Sequence, residues 1–351
     1  MSTTTAAPPG RDSASDATKG LLIVLVAVGH CIPAQQVWPW LGHGGLYDFH
    51  VIAFLLLPFL RPPVAASIRV FADRAVRYLV PFVAFALLAW VAWHAVPHRP
   101  VAWTALPLAL LQGDVASLSE GVGFTFLWFM PCLLSLTVLR SAIAATSKPL
   151  RGATVAVLIV LHGCLAGTNL RLPLNPLPAV YVLPLGLAVA ALAHHRRARF
   201  VWLAVACSCG VIAAFRQDHI NVASLIVPLW RTPLSVVLHD VYAIAATLTV
   251  VHFGPELARV PGLAHIGRYS LVVYLSHQFV LKAIEIWSER QPWDGTWNAK
   301  ALVAVVAIPA SLAAGWWLAR ILDRPRVRPW ILPHSVRDWP PTAWLVAATA
   351  H

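Results

Sequence analysis

Charge is what this sequence has least of. Only 11% of its 351 residues are Asp, Glu, Lys or Arg, against about 25% in an average soluble domain. With 59% hydrophobic residues and a mean hydropathy of +0.71, the chain cannot cover a solvated surface, which excludes an ordinary soluble enzyme and a disordered protein alike. Cysteine is also scarce. The five present (Cys31, Cys132, Cys164, Cys207, Cys209) are odd in number and lie in or beside apolar runs, so neither a disulfide framework nor a zinc-ligand spacing follows, and they read as small core residues. The first residues lack the basic-then-apolar order of a signal peptide, and neither an internal repeat nor a soluble domain is visible.

Long apolar runs are what the sequence does have. Bounded by charge, Pro or Gly, they predict an all-α, polytopic transmembrane bundle of about ten spans. The span centres fall near Val26, Leu55, Ala86, Leu133, Ile159, Leu185, Val205, Ala243, Phe279 and Ala310. The stretch Val101–Leu111 is too short to cross and reads as re-entrant or interfacial. Residues 1–15 read as a disordered tail, 16–322 as the membrane domain and 323–351 as a cytoplasmic C-terminal tail. With both termini inside, 19 of the 26 Lys and Arg fall in inner loops and six outside, the positive-inside asymmetry of a multi-pass protein of the plasma (cytoplasmic) membrane. The same pattern disposes of nucleic acid as a partner. The net charge of +12 comes in short clusters between apolar runs, such as Arg196, Arg197 and Arg199, not on one polar face. The lipid bilayer is the partner it implies.

Ionisable groups inside apolar runs are costly and mark function by default. Here they are His30, His50, His162, His239, Asp240, His277, Lys282 and Glu285. At about 1.5 Å of rise per residue, His30, His50, His277 and Asp240 come to similar depths, roughly 13–18 Å from the inner end of their spans. A shared cavity accounts for that level better than four separate interhelical hydrogen bonds; His162, without a charged neighbour, reads as bundle glue. A second group stands at the inner rim: Asp16, Lys19, Arg74 and Arg77. Arg74 and Arg77 point to one side of a helix, and guanidinium forks match phosphate oxygens. Lys19 and His30, eleven residues apart, share one helix face. A cation at the rim and an imidazole at mid-depth suit a ligand with a phosphorylated head and a reactive group some three turns away.

These residues also carry a resemblance. Asp16-Ala17-Thr18-Lys19-Gly20 running into Gly29-His30, Phe49-His50, Arg74-Ala75-Val76-Arg77 followed by Pro81, Leu127-Trp128-Phe129, and Gly267-Arg268-Tyr269-Ser270 leading to Tyr274 and His277 resemble, in order, the landmarks of the membrane acyltransferase family 3. The Lys-Gly and Gly-His forms look closest to its fucose 4-O-acetylase-like branch. Two positions depart from the family pattern: Leu57-Pro58 stands where Ser-Gly is common, and Lys19 where Arg is common. The resemblance implies an O-acyltransferase that moves an acetyl group from acetyl-CoA, or another acyl-CoA, to a hydroxyl of a carbohydrate or glycan acceptor, with no metal. His30 is then the expected general base, with Asp240 or His50 orienting it. Lys19, Asp16, Arg74 and Arg77 form the expected phosphate site, and Trp128, Tyr274 and His277 contact substrate. Tryptophans near the outer face (Trp38, Trp40, Trp103, Trp293) read as interfacial anchors. The alternative is a proton-coupled transporter of a sugar or lipid-linked substrate, although the inverted repeats and paired broken helices expected there are not seen.

Overall fold

The computed structural model describes residues 12–41, 45–46, 49–64, 66–96, 103–165, 171–216, 233–291 and 296–342, without the side chains of 159, 161–165, 216 and 233–235. The expectations for residues 1–11, Arg99, Arg231, Trp293 and the side chains of His162 and Cys164 lie outside this set. Among the described residues 81% are helical and none is in a strand. In chain order the helices are α1 Ser13–Gly29, α2 Ile32–Val37, α3 His50–Leu56, α4 Ile68–His94, α5 Leu106–Gln112, α6 Val115–Gly121, α7 Phe129–Ala145 and α8 Lys148–Leu165. They continue with α9 Pro176–Leu192, α10 Arg199–Arg216, α11 Pro233–His252, α12 Gly254–Leu257, α13 Leu263–Arg268, α14 Ser270–Ser288, α15 Trp297–Leu322 and α16 Arg328–Ile331.

All ten span centres fall inside a helix. Among the described residues, four helical segments are long and apolar enough to cross a membrane: Ile68–His94, Thr125–Ala145, Arg196–Phe215 and Trp297–Leu322. Shorter apolar helices, among them His50–Leu60 and Pro176–Leu192, complete the bundle. The stretch before Leu111 is no span: it folds as a 3-10 turn and α5, which packs on the equally short α6. Cys31, Cys132 and Cys209 are buried free thiols as expected, but Cys207 is exposed on α10.

Two helix breaks shape the interior of the bundle. The first helix does not run past His30; it ends at Gly29, and His30 is its C-cap. Pro33 has no amide to bond the Gly29 carbonyl four residues back, so a continuous helix breaks before it; the chain restarts at Ile32 as α2, with Pro33 in its first turn. The Gln35 side-chain amide donates to the Gly29 carbonyl that the break frees. The second break follows α3, which tightens into a 3-10 turn over Leu57–Leu60 at Pro58. There the Arg140 guanidinium, from α7, donates to the Pro58 carbonyl at 2.7 Å and to the Arg61 carbonyl, and it lies 4.9 Å from the centre of the Phe59 ring. The Leu57-Pro58 departure therefore leaves a capped kink.

Glycines bring backbones together where α1 starts. A Cβ on Gly20 would collide with the Leu263 carbonyl of α13, and one on Gly267 with the Asp16 carbonyl of α1. The two helices thus cross in backbone contact. Beyond α15 the chain folds back on α4: Asp323 pairs with Arg328 at 3.1 Å, and the Val336 amide donates to Asp73 at 2.8 Å. His334 lies in this segment; burial first, then the charges of Arg328 and Arg77, push its pKa down.

Candidate functional site

Three histidines from three helices meet inside the bundle. The His30 ring, at the C-cap of α1, is 5.9 Å from that of His50 at the start of α3 and 5.1 Å from that of His277 on α14, both edge-on. His50 and His277 are fully buried, whereas His30 keeps accessible surface. In each ring Nδ1 faces a backbone carbonyl: Val26 at 2.8 Å for His30, Leu46 at 2.5 Å for His50 and Tyr274 at 2.6 Å for His277. A carbonyl oxygen only accepts, so Nδ1 carries the proton in all three, and in the neutral rings Nε2 keeps its lone pair. That is the tautomer a general base needs. The His30 lone pair belongs to the one imidazole of the three that remains accessible.

Asp240 does not join them. Its carboxylate accepts from the Tyr181 hydroxyl of α9 and lies 3.6 Å from His239, whose ring stands 3.0 Å from the same hydroxyl. The His30 Nδ1 instead bonds the Val26 carbonyl of its own helix, and the Asp240 carboxylate serves Tyr181. The three histidine rings stand together, while the Asp240 carboxylate turns to Tyr181 of α9; depth along a helix fixes no direction around it. Lys282 and Glu285 pair with each other at 2.8 Å on α14, which explains both as one locally neutral unit.

At the end of the bundle where α1 begins lies a cavity of about 1020 Å³. Lys19, Arg74 and Arg77 line it, as the sequence suggests, and Asp16, itself buried, pairs with Lys19 at 3.1 Å. Arg61, Arg140, Arg196 and His194 line it too, and the sequence does not mark them out: as sequence, these cations look like the topological ones around them. Arg196, which reads as part of an orientation signal, is a wall of the cavity. The deeper lining is apolar and aromatic, with Phe54, Leu133, Phe129 and Tyr274. Trp128 is instead buried in the core against Phe129, so its neighbour takes the place on the wall expected for it. Tyr274 joins the two halves of the site. It lines the cavity, and its ring lies 5.7 Å from that of His277.

Six Lys and Arg stand on the lining of this cavity, and one of its aromatic residues, Tyr274, lies against the imidazole cluster. The sequence model of an acyltransferase domain, acyltransferase family 3, matches residues 12–320. The chain belongs to acyltransferase family 3. Comparison with curated proteins and with solved structures finds no match. Family and apolar helices together make this an integral membrane acyltransferase. The segment matched to acyltransferase family 3 contains all three histidines and every cavity-lining residue.

Proposed function

We propose that this protein transfers an acetyl group from acetyl-CoA to a hydroxyl of a sugar or envelope glycan, as an O-acetyltransferase of the plasma membrane. The observation that carries the reading is the single vessel running from a cationic mouth to an aromatic floor behind which His30, His50 and His277 stand. Guanidinium and ammonium groups hold phosphates through charge-assisted bonds, which fits the nucleotide end of coenzyme A. By the positive-inside asymmetry the mouth faces the cytoplasm, where that donor is found. The Lys19-Gly20 and Gly29-His30 forms favour a branch acting on sugars.

In the reaction, His30 Nε2 takes the proton of the acceptor hydroxyl as its oxygen bonds to the thioester carbonyl carbon. Collapse of the tetrahedral intermediate breaks the C–S bond, and the proton passes from His30 to the departing thiolate. The Val26 carbonyl holds the ring in the required tautomer throughout.

The donor end is tested by kinetics in detergent. Arg77→Ala removes a charge-assisted phosphate contact, worth about 1.5–3 kcal/mol, and raises KM for acetyl-CoA roughly ten- to a hundred-fold with a smaller effect on kcat. Arg196→Ala acts in the same direction. Arg69→Ala, at an exposed position on α4 away from the cavity, leaves KM unchanged. With acetyl-pantetheine, which lacks the nucleotide phosphates, the Arg77 effect shrinks. Equal KM values for Arg77→Ala and Arg69→Ala would place the coenzyme elsewhere.

A further inference from the structure

The donor cavity stops short of the histidines. None of His30, His50 and His277 is on its lining; Tyr274 is, and its ring lies 5.7 Å from that of His277. The ring is held from three sides. Its hydroxyl donates to the Phe126 backbone carbonyl at 2.5 Å, and the rings of Phe129 and Phe126 lie 4.9 and 5.9 Å away. Phe126 in turn lies 5.4 Å from His277 and is buried, as Tyr274 is. Tyr274 is thus a lining residue in ring contact with the histidine cluster, latched within an aromatic collar.

We infer that Tyr274 is the specificity-determining wall of the donor site, which admits an acetyl-sized acyl group to His30 and excludes longer ones. The inference rests on the acyl-CoA reading of the vessel and adds to it the residue that sets the acyl length. An acetyl group adds only one methyl beyond the thioester carbonyl. A longer chain needs the volume the ring itself fills, because Phe126, Phe129 and the buried His277 leave no slack around it. Closely packed interiors do not yield continuously to an extra methylene.

The test compares acetyl-CoA with hexanoyl-CoA on the purified full-length protein, with kcat/KM read for each. Wild type favours acetyl-CoA. In Tyr274→Leu, which removes the ring's volume, the acetyl-to-hexanoyl ratio falls at least about tenfold, the discrimination a hydrophobic pocket gives for a methylene or more. In Tyr274→Phe, which keeps the ring and removes only the latch, the ratio stays within about threefold of wild type. Folding of both variants is checked by size-exclusion behaviour and thermal unfolding in detergent. If Tyr274→Leu is misfolded by these measures, the ratio is read on Tyr274→Met, whose flexible chain still vacates the ring's plane. A ratio that does not move in the folded small-side-chain variant overturns the role of Tyr274 while leaving the acyltransferase reading standing. Wild-type protein that transfers acyl groups from neither donor overturns that parent reading instead.

Discussion

His30→Ala lowers acyl transfer by about a hundred- to ten-thousand-fold, the range that a positioned general base contributes, and leaves the protein folded. Both halves of this expectation come from the cap geometry. The His30 Nδ1–H bonds within its own turn, to the Val26 carbonyl, and that carbonyl also accepts from the His30 backbone amide at 3.0 Å. Removing the imidazole therefore leaves this acceptor with a donor. The Gly29 carbonyl keeps its bond from Gln35, so the break between α1 and α2 persists. What is lost is the one imidazole of the three with accessible surface, and with it the Nε2 lone pair. Size-exclusion behaviour and thermal unfolding in detergent should match wild type while turnover collapses. A variant that keeps more than half of normal turnover removes His30 from the chemistry.

The largest structural effect belongs to Gly267→Ala. The added methyl group would sit on the Asp16 carbonyl and against the Gly20 amide, backbone atoms that cannot rotate aside. The crossing of α1 and α13 must then open, at a cost of about 1–3 kcal/mol for overpacking. Because Asp16 and Lys19 lie on that crossing, the donor mouth shifts with it. The expected result is a lower unfolding temperature together with a higher KM for acetyl-CoA. Gly152→Ala is the matched control: its Cβ would enter open space on α8, and there a Gly→Ala exchange adds up to about 1 kcal/mol of helix propensity. Equal unfolding temperatures for the two variants would contradict the close crossing.

These positions also show what the amino-acid sequence discloses and what it withholds. Apolar runs located a helix at each of the ten expected centres, because length and hydropathy act along one dimension. Depth is one-dimensional as well, and counting residues from the rim brought His30, His50 and His277 to one level. Direction around a helix is set by neighbours, and Asp240 shows the consequence: its depth is similar, but its carboxylate serves Tyr181 and His239. The break at His30 is written in Pro33, though an apolar run that continues on both sides conceals it. Arg61, Arg140 and Arg196 were the hardest to see. A cation that anchors a loop and a cation that lines a binding cavity have the same sequence appearance, and only packing separates them. Arg140 does two things at once, capping the kink at Pro58 and lining the vessel.

The central claim is that the reactive end of a coenzyme A thioester reaches the histidine cluster through the cationic vessel. Chloroacetyl-CoA tests it most directly, because an imidazole nitrogen displaces chloride from the α-carbon and keeps a covalent mark. Purified protein is incubated with this analogue, digested, and mapped by peptide mass spectrometry. The account predicts one dominant adduct on His30, suppressed by excess coenzyme A and diminished in Arg77→Ala. An adduct confined to the exposed Cys207, or one on His30 that coenzyme A does not compete away, would contradict it.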